Sequence, residues 1–374
     1  MAAVAHFDEE SQTLRVARES DVSEVRPSRP ILPTRQTHDT MLDDDSPVDV
    51  LKERSLARIG RVLAERYELL NLLGCGSAGA VYSAMDHVRG ERVAVKMLHE
   101  GLARSPEHVA RFEREARAAS SIGHSSVVKV LDIGRDERNC LFLVLELLEG
   151  EGLFFAISSG RLTVGDIVEI GRQLLGALAA AHARGIVHRD VKPENLFLHE
   201  KKTGERVLIV LDLGLAKILA DVTGAPEPRE FSTEKDSWVG TVRYAAPEQA
   251  WGTDVDGRLD IYALGVVAYE TLTGHGPFDH LETDAELLQA HAMIEPRPPS
   301  KLARDLGRRV DRVILKALAK NREDRYQTAE EFSAALATLE NVATPLLIPE
   351  IAAGTALGAA ISAYFMLKLW WPAP

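Results

Sequence analysis

The chain has only two cysteines, Cys75 and Cys140, among 374 residues. That scarcity excludes a disulfide framework and a cysteine metal knuckle, and it suits a reducing compartment. Basic residues are also short: 44 Lys and Arg against 56 Asp and Glu leave a net charge of −12. With no basic stripe to offset that balance, nucleic acid is excluded as a bulk partner. The first twenty residues contain no apolar run long enough for a secretory signal, so the main body is expected in the cytoplasm. The length suffices for one large domain or two medium lobes with tails.

Residues 1–60 are polar, carry Pro27, Pro30, Pro33 and Pro47, and hold an acidic knot at Asp43, Asp44 and Asp45. No period of 2 or 3.6 persists there, which predicts a disordered leader. Thr34, Thr37, Thr40 and Ser46 are phosphate acceptors by chemistry, although a solvated linker is their plainer role. From Tyr67 the pattern becomes short strands, "YELLNLL", "AVYSAMD" and "RVAVKML", separated by glycine-bearing turns. A helix follows: Ser105 is its predicted cap, Pro106 suits its first turn, and Val109, Phe112, Ala116 and Ala119 form one stripe before Gly123. Two further strands, "VVKVLDIG" and "CLFLVLELL", complete a small sheet carrying one helix. Beyond Gly150 helices dominate, and "TVGDIVEIGRQLLGALAAAHARG" and "RLDIYALGVVAYETLTG" are apolar nearly all round, as core helices are. A β-rich small lobe followed by a helical large lobe leaves a cleft, where ligand sites concentrate.

Gly74, Gly76 and Gly79 fit G-x-G-x-x-G between two strands, with Val81 just after. Glycines there let the backbone approach a phosphate chain and point its N–H groups at it. By itself the pattern is weak, and a strand rather than a helix follows it, unlike the dinucleotide-binding version. Lys96 stands in an apolar strand, "VAVKML", where an unpaired ammonium is costly. Glu115, beside the Phe112 and Ala116 stripe, is the best-placed partner; Glu113 competes from one to two positions off that face, and a snorkelling surface lysine is the plain alternative.

The stretch "IVHRDVKPENLFL" crowds His188, Arg189, Asp190, Lys192, Glu194 and Asn195 between two apolar runs. Pro193 discourages helix there, so Asp190 and Asn195 sit on a loop. Their spacing suits a carboxylate aimed at a hydroxyl and an amide oxygen aimed at a cation, with Lys192 between them to neutralise a phosphoryl group. A polar turn capping a buried helix is the plain alternative. Downstream, "VLIVLDLGLA" ends an all-apolar strand on Asp212, and a carboxylate so presented is the hard oxygen ligand that magnesium takes.

Together these motifs resemble the protein kinase signature set, in its bacterial eukaryotic-like Ser/Thr form, from about Tyr67 to Leu339. Besides the glycine loop, Lys96, Glu115, "HRDVKPEN" and "DLG", the resemblance takes in "GTVRYAAPE", "DIYALG" with Asp260, and Arg325 opposite Glu248 of A-P-E. It implies a bilobal α+β fold: a β-rich N-lobe (61–148) with one key helix and a mainly α-helical C-lobe (149–341). It also implies ATP with Mg²⁺, or Mn²⁺ in its place, and transfer to Ser or Thr of protein substrates. In that scheme Asp190 orients the substrate hydroxyl, Lys192 pairs with Thr241 for Ser/Thr specificity, and Asn195 and Asp212 hold the metal. The nucleotide pocket would comprise Leu73, Gly74, Gly76, Gly79, Val81, Ala94, Lys96, Glu115, Leu145, Glu146, Leu148, Leu198 and Asp212. Two departures stand out, Leu213 in place of the D-F-G phenylalanine and Ser77 within the glycine loop; neither removes a catalytic group. A scaffold without turnover and a small-molecule phosphotransferase are the rival readings. The first should have lost Lys96, Asp190 or Asp212, and the second lacks a "GTVRYAAPE" segment.

Arg189 precedes Asp190, where the family usually receives an activation-segment phosphate; Thr233 and Ser237 are the expected acceptors. After a short linker (342–350), residues 351–371 predict a single membrane helix about 31 Å long. Trp370 and Trp371 suit an interface belt, and Gly354, Gly358 and Ser362 form a small-residue face suited to homodimer contact. That reading anchors a cytoplasmic kinase domain to the membrane with no outer sensor domain on this chain.

Overall fold

The computed structural model describes residues 5–8, 13–16, 47–212, 242–252, 255–303 and 305–340. It divides into two units, residues 1–44 and 45–374. In the first, strands β1 (Ala5–Asp8) and β2 (Thr13–Val16) pair antiparallel, with Ala5 opposite Val16 and Asp8 opposite Thr13.

The second unit opens with helix α1 (Pro47–Leu56). Here the sequence expectation is corrected: residues 47–60 belong to the packed body rather than to a disordered leader. The helix has no strong apolar stripe, so pattern alone does not reveal it. What holds it is burial of Ser55 and a hydrogen bond from Tyr82 Oη to the Ser55 carbonyl at 3.0 Å.

A six-stranded antiparallel sheet follows, in the order β3-β4-β5-β6-β8-β7. Its strands are β3 (Val62–Leu63), β4 (Tyr67–Cys75), β5 (Gly79–Asp86), β6 (Glu91–Leu98), β7 (Val130–Arg135) and β8 (Leu141–Glu146). Alternation along the strands builds two apolar layers. On one side Leu69, Tyr82, Val95, Met97, Phe142 and Val144 form a core. On the other, Leu98, Leu141 and Leu143 meet Phe112 and Ala116 of helix α3 (Pro106–Ile122), which follows the short α2 (Glu100–Ala103). Ser105 is the N-cap residue of α3, but its hydroxyl makes no capping bond; Pro106 at the first position is what remains of the predicted start signal.

The larger half begins with β9 (Gly150–Gly152) and α4 (Leu153–Ser158) and is built on α5 (Val164–His182). Thr163 caps α5 through a reciprocal box with Asp166, satisfying two backbone donors at its start. Strands β10 (Leu196–Glu200) and β11 (Arg206–Val210) complete a three-stranded sheet with β9. Then come α6 (Pro247–Trp251), α7 (Arg258–Thr273), α8 (Asp284–Met293), α9 (Arg308–Ala317) and α10 (Ala329–Ala337). Helix α7 is buried on every face, as its unbroken apolar run predicts. Gly171 lets α10 lie close to α5, since a Cβ there would sit 2.6 Å from Leu336 Cδ1. The expected α+β architecture, a β-rich lobe with one key helix, α3, followed by a mainly helical lobe, is observed, with α1 and the short α2 added to the first lobe.

Candidate active site

The first half of the site hangs from the small sheet. Glycine-rich residues 74–79 form the β4–β5 turn, where Gly74 pairs with Val81 and the Gly76 amide donates to the Gly79 carbonyl at 2.9 Å. Val81 is in turn opposite Lys96 on β6, so both side chains leave the same face of the sheet. Lys96 Nζ reaches Asp212 Oδ2 at 2.9 Å and Glu115 Oε2 at 3.7 Å. Of the two glutamates weighed for that lysine, Glu115 is therefore the partner; Glu113 is turned to Arg135 at 3.3 Å. Burial works against the ammonium, yet Asp212 and Glu115 outweigh it and the Lys96 pKa is raised. Burial also raises the Glu115 pKa, helped by the nearby Asp212 charge and opposed by Lys96.

The second half lies on the loop between α5 and β10. Lys192 Nζ stands 2.8 Å from Asp190 Oδ2. Asn195 Nδ2 donates to the Asp190 carbonyl at 2.8 Å and to its Oδ2 at 3.0 Å. With its nitrogen committed in this way, Asn195 has its Oδ1 as the side-chain acceptor to offer a cation. The Leu211 amide donates to the Asn195 carbonyl at 2.9 Å, which places Asp212 directly beside Asn195.

Beneath the loop, Asp260 of α7 is fully buried. Its Oδ2 accepts from the His188 amide and its Oδ1 from the Arg189 amide, both at 2.9 Å. His182 Nε2, at the end of α5, bonds Oδ2 as well at 2.7 Å. Arg189 takes a left-handed φ of 64°, a conformation that needs such external support. Pattern reading found Asp260 but not His182; the cue was a polar ring at the end of an otherwise apolar helix.

The wall between the lobes is apolar. Leu145 on β8 is opposite Ala94 on β6, and with Leu148 and Leu211 it packs on Val128, Val207 and Ile209. Here one predicted residue is corrected. Leu198 is buried in the large-lobe core with Leu196 and Leu208, so it is not available as a pocket floor. Phe197, opposite Ile209 in the ladder, takes the face that Ile209 shares with Leu145 and Leu148. The period-2 alternation of "LFL" was the signal for that assignment. Thr241, Thr233 and Ser237, the linker 342–350 and the 351–371 segment with Gly354, Gly358 and Ser362 lie outside the described residues.

The donor set suits a magnesium nucleotide. Asp212 and Asn195 supply hard oxygens of the kind Mg²⁺ takes. No cluster of three or more His, Cys, Asp or Glu able to hold a metal occurs among the described residues. Were Mg²⁺ held there, phosphate and water oxygens would supply its other ligands, as in nucleotide sites. Among the described residues no helix is long and apolar enough to cross a membrane.

A two-lobed fold with a glycine flap, a lysine shared by a helix glutamate and a loop aspartate, and an Asp–Lys–Asn loop carried on a buried aspartate defines a class of ATP-dependent phosphotransferase folds. The protein kinase domain model matches residues 67–335, and the chain belongs to the protein kinase family, in its bacterial eukaryotic-like Ser/Thr branch. It is 44% identical over 271 residues to serine/threonine-protein kinase Pkn1 of Myxococcus xanthus, covering 72% of this chain and 38% of that protein. Identity to serine/threonine-protein kinase PknB of Mycobacterium tuberculosis is 37% over 287 residues, covering 76% of this chain and 44% of the relative. The chain thus spans less than half the length of both. The crystal structure of the Mycobacterium tuberculosis PknI kinase domain superposes with a TM-score of 0.56 at 29% identity, covering 75% of this chain and 98% of that one.

Proposed function

We propose that this chain is a protein serine/threonine kinase that transfers the γ-phosphoryl group of ATP to hydroxyls of protein substrates. The observation that carries the reading is the meeting of Lys96 and Asp212 across the cleft, beside a loop on which Asp190 lies within hydrogen-bonding distance of both Lys192 and Asn195. Catalysis of this kind is mainly positioning and charge neutralisation. Asp190 accepts the hydrogen bond of the incoming hydroxyl and orients its oxygen. Lys192 offsets charge on the group in transit, and Lys96 anchors the triphosphate. Asn195 and Asp212 would hold Mg²⁺, which would offset negative charge on the phosphates. The Gly74–Gly79 flap closes over the phosphates, and the Leu145–Leu148 segment borders the base.

The finer reading has Arg189 drawing a phosphate placed by autophosphorylation on Thr233 or Ser237. It also has residues 351–371 tethering a cytoplasmic kinase domain to the membrane, where the Gly354, Gly358 and Ser362 face allows a second copy to pack. What supports it is sequence pattern alone: a polar, hydroxyl-rich activation segment and an apolar run without charge from Ile351 to Leu367.

The test is an assay with Mg·ATP on a mixed cell lysate, wild type against Asp190→Ala, with phosphosites mapped. Ser and Thr labelling present with wild type and absent with the variant supports the reading. Material that binds no Mg·ATP, or labels no polypeptide above the variant, overturns it.

A further inference from the structure

Residues ahead of the family-matched region, which begins at Tyr67, are built into the roots of the glycine flap. Ser55, near the end of α1, is buried, and its carbonyl accepts the hydrogen bond of Tyr82 Oη at 3.0 Å. Its hydroxyl lies 3.6 Å from Cys75 Sγ, inside the flap itself. Tyr82 directly follows Val81; Val81 shares the cleft face with Lys96, so alternation sends Tyr82 to the outer face, beneath α1. Three residues after Ser55, the mostly buried Arg58 guanidinium reaches Glu100 at 2.9 Å, Asp136 at 3.7 Å and Met97 Sδ at 3.7 Å. Those partners belong to α2, to the β7–β8 turn and to β6. Finally, the Gly60 amide donates to the Leu69 carbonyl at 2.8 Å and the Leu69 amide to the Arg61 carbonyl at 2.9 Å, which fastens the strap along β4.

The flap needs this external fastening. Nothing lies within 4 Å of where a Cβ on Gly74 or Gly76 would sit, and the tip is held instead by His99, whose Nε2 lies 2.7 Å from the Gly76 carbonyl and whose amide donates to the Ala78 carbonyl at 3.2 Å. Its far root is pressed on β6, where a Cβ on Gly79 would come within 2.1 Å of the Met97 carbonyl oxygen. Arg58 holds the Met97 side chain at that same place. One short segment therefore touches the flap's first strand, its second strand and the strand it rests on.

We infer that residues 51–61 form a strap that sets the height of the glycine flap over the nucleotide, with Ser55 and Arg58 as positioning residues. The inference rests on the kinase reading for its consequence in catalysis, though not for the mechanical coupling. A strap of this kind acts on nucleotide capture more than on phosphoryl transfer, because Asp190, Lys192 and Asn195 lie on the other lobe.

The test uses the full chain with Arg58→Ala, Arg58→Lys and Tyr82→Phe. Hydrogen–deuterium exchange of residues 74–80 should quicken in Arg58→Ala and Tyr82→Phe, while exchange across Arg308–Ala317 stays at the wild-type rate. The KM for ATP should rise about threefold to fivefold in Arg58→Ala, the scale of a part-buried ion pair. The value of kcat should stay within about twofold, since no transition-state contact is removed. Arg58→Lys should recover part of the loss. Flap exchange unchanged in both Arg58→Ala and Tyr82→Phe overturns the strap. So does acceleration spread evenly over both lobes, which marks a general loss of stability. A wild-type protein inert toward ATP sinks the kinase reading instead, and the exchange comparison still decides the strap.

Discussion

Lys96 Nζ stands 2.9 Å from Asp212 Oδ2, closer than the 3.7 Å that separates it from Glu115 Oε2. One ammonium on the small sheet is thereby shared by a carboxylate on its own lobe and another at the end of a large-lobe strand. The contact couples cleft closure to charge, because pulling the lobes apart removes Asp212 from the lysine while leaving Glu115 in place.

Removing that ammonium should be costly in rate. Lys96→Met leaves two carboxylates facing each other and nothing to anchor a triphosphate; kcat should fall by about 10²-fold or more, the scale of losing a preorganised charge. Lys96→Arg should not restore activity, since a planar fork cannot occupy the place of a point charge. Steady-state phosphorylation of a protein substrate reads both. A Lys96→Met rate near wild type refutes the assignment of Lys96.

The pair formed by Glu248 and Arg325 should govern stability. Arg325 Nη1 and Nη2 meet Glu248 Oε1 and Oε2 at 2.7 and 2.8 Å, and Arg325 is almost wholly buried. Its Nε and Nη2 also donate to the carbonyls of Ala319 and Lys320, and the guanidinium lies 4.9 Å from the Tyr262 ring centroid. Arg325→Ala takes the bidentate guanidinium away from a buried carboxylate and should cost about 3–5 kcal/mol. Urea unfolding measures it, and a loss as small as that of a surface pair contradicts the prediction.

Acid should weaken the fold through His291. This ring is buried between Tyr262 and Phe278, with Tyr262 Oη 3.0 Å from Nδ1 and Lys320 Nζ bonded to the His291 carbonyl at 2.9 Å. Burial, with the Lys320 charge added, pushes its pKa down to about 3. The unfolded chain therefore takes up this proton first, as pH falls through its ordinary value of about 6.5. The neutral ring's stability contribution is intact above that pH and is lost progressively toward about 3. Melting temperatures of wild type and His291→Leu should diverge in slope between pH 7 and pH 5, with the variant flatter. Parallel slopes rule out His291 as the source.

Most of this architecture was legible before any coordinates, because the signals were local. The apolar run of α7 and the glycines at 74, 76 and 79 each act within a few residues of themselves. Two features were not legible, for different reasons. Helix α1 and the turn after it are fixed by contacts of Ser55 with Tyr82 and of Arg58 with Met97 and Glu100, from 27 to 42 residues away, and the helix's own sequence carries no apolar stripe to announce them. Leu198 was placed in the pocket by position in a motif, whereas the ladder register sends it into the core and turns Phe197 outward. A one-residue shift along a strand exchanges faces, so motif spacing cannot replace register.

The sharpest separation of catalysis from folding should come from Asp260. Its two oxygens accept from the His188 and Arg189 amides and from His182, and so brace the left-handed turn at Arg189. Asp260→Asn keeps the shape but directs an amide N–H toward a donor, leaving one buried amide without an acceptor. Such a group costs about 1–3 kcal/mol, which a domain of this size tolerates, so the variant should fold. The loop should nonetheless drift, carrying Asp190, Lys192 and Asn195 out of register with Asp212. We expect kcat to fall by about 10²-fold, the scale of a small misplacement of reacting groups. The KM for ATP should change little, because Lys96 and the glycine flap are untouched. A fully folded variant with wild-type kcat means that the backbone of residues 188–190 holds itself in place.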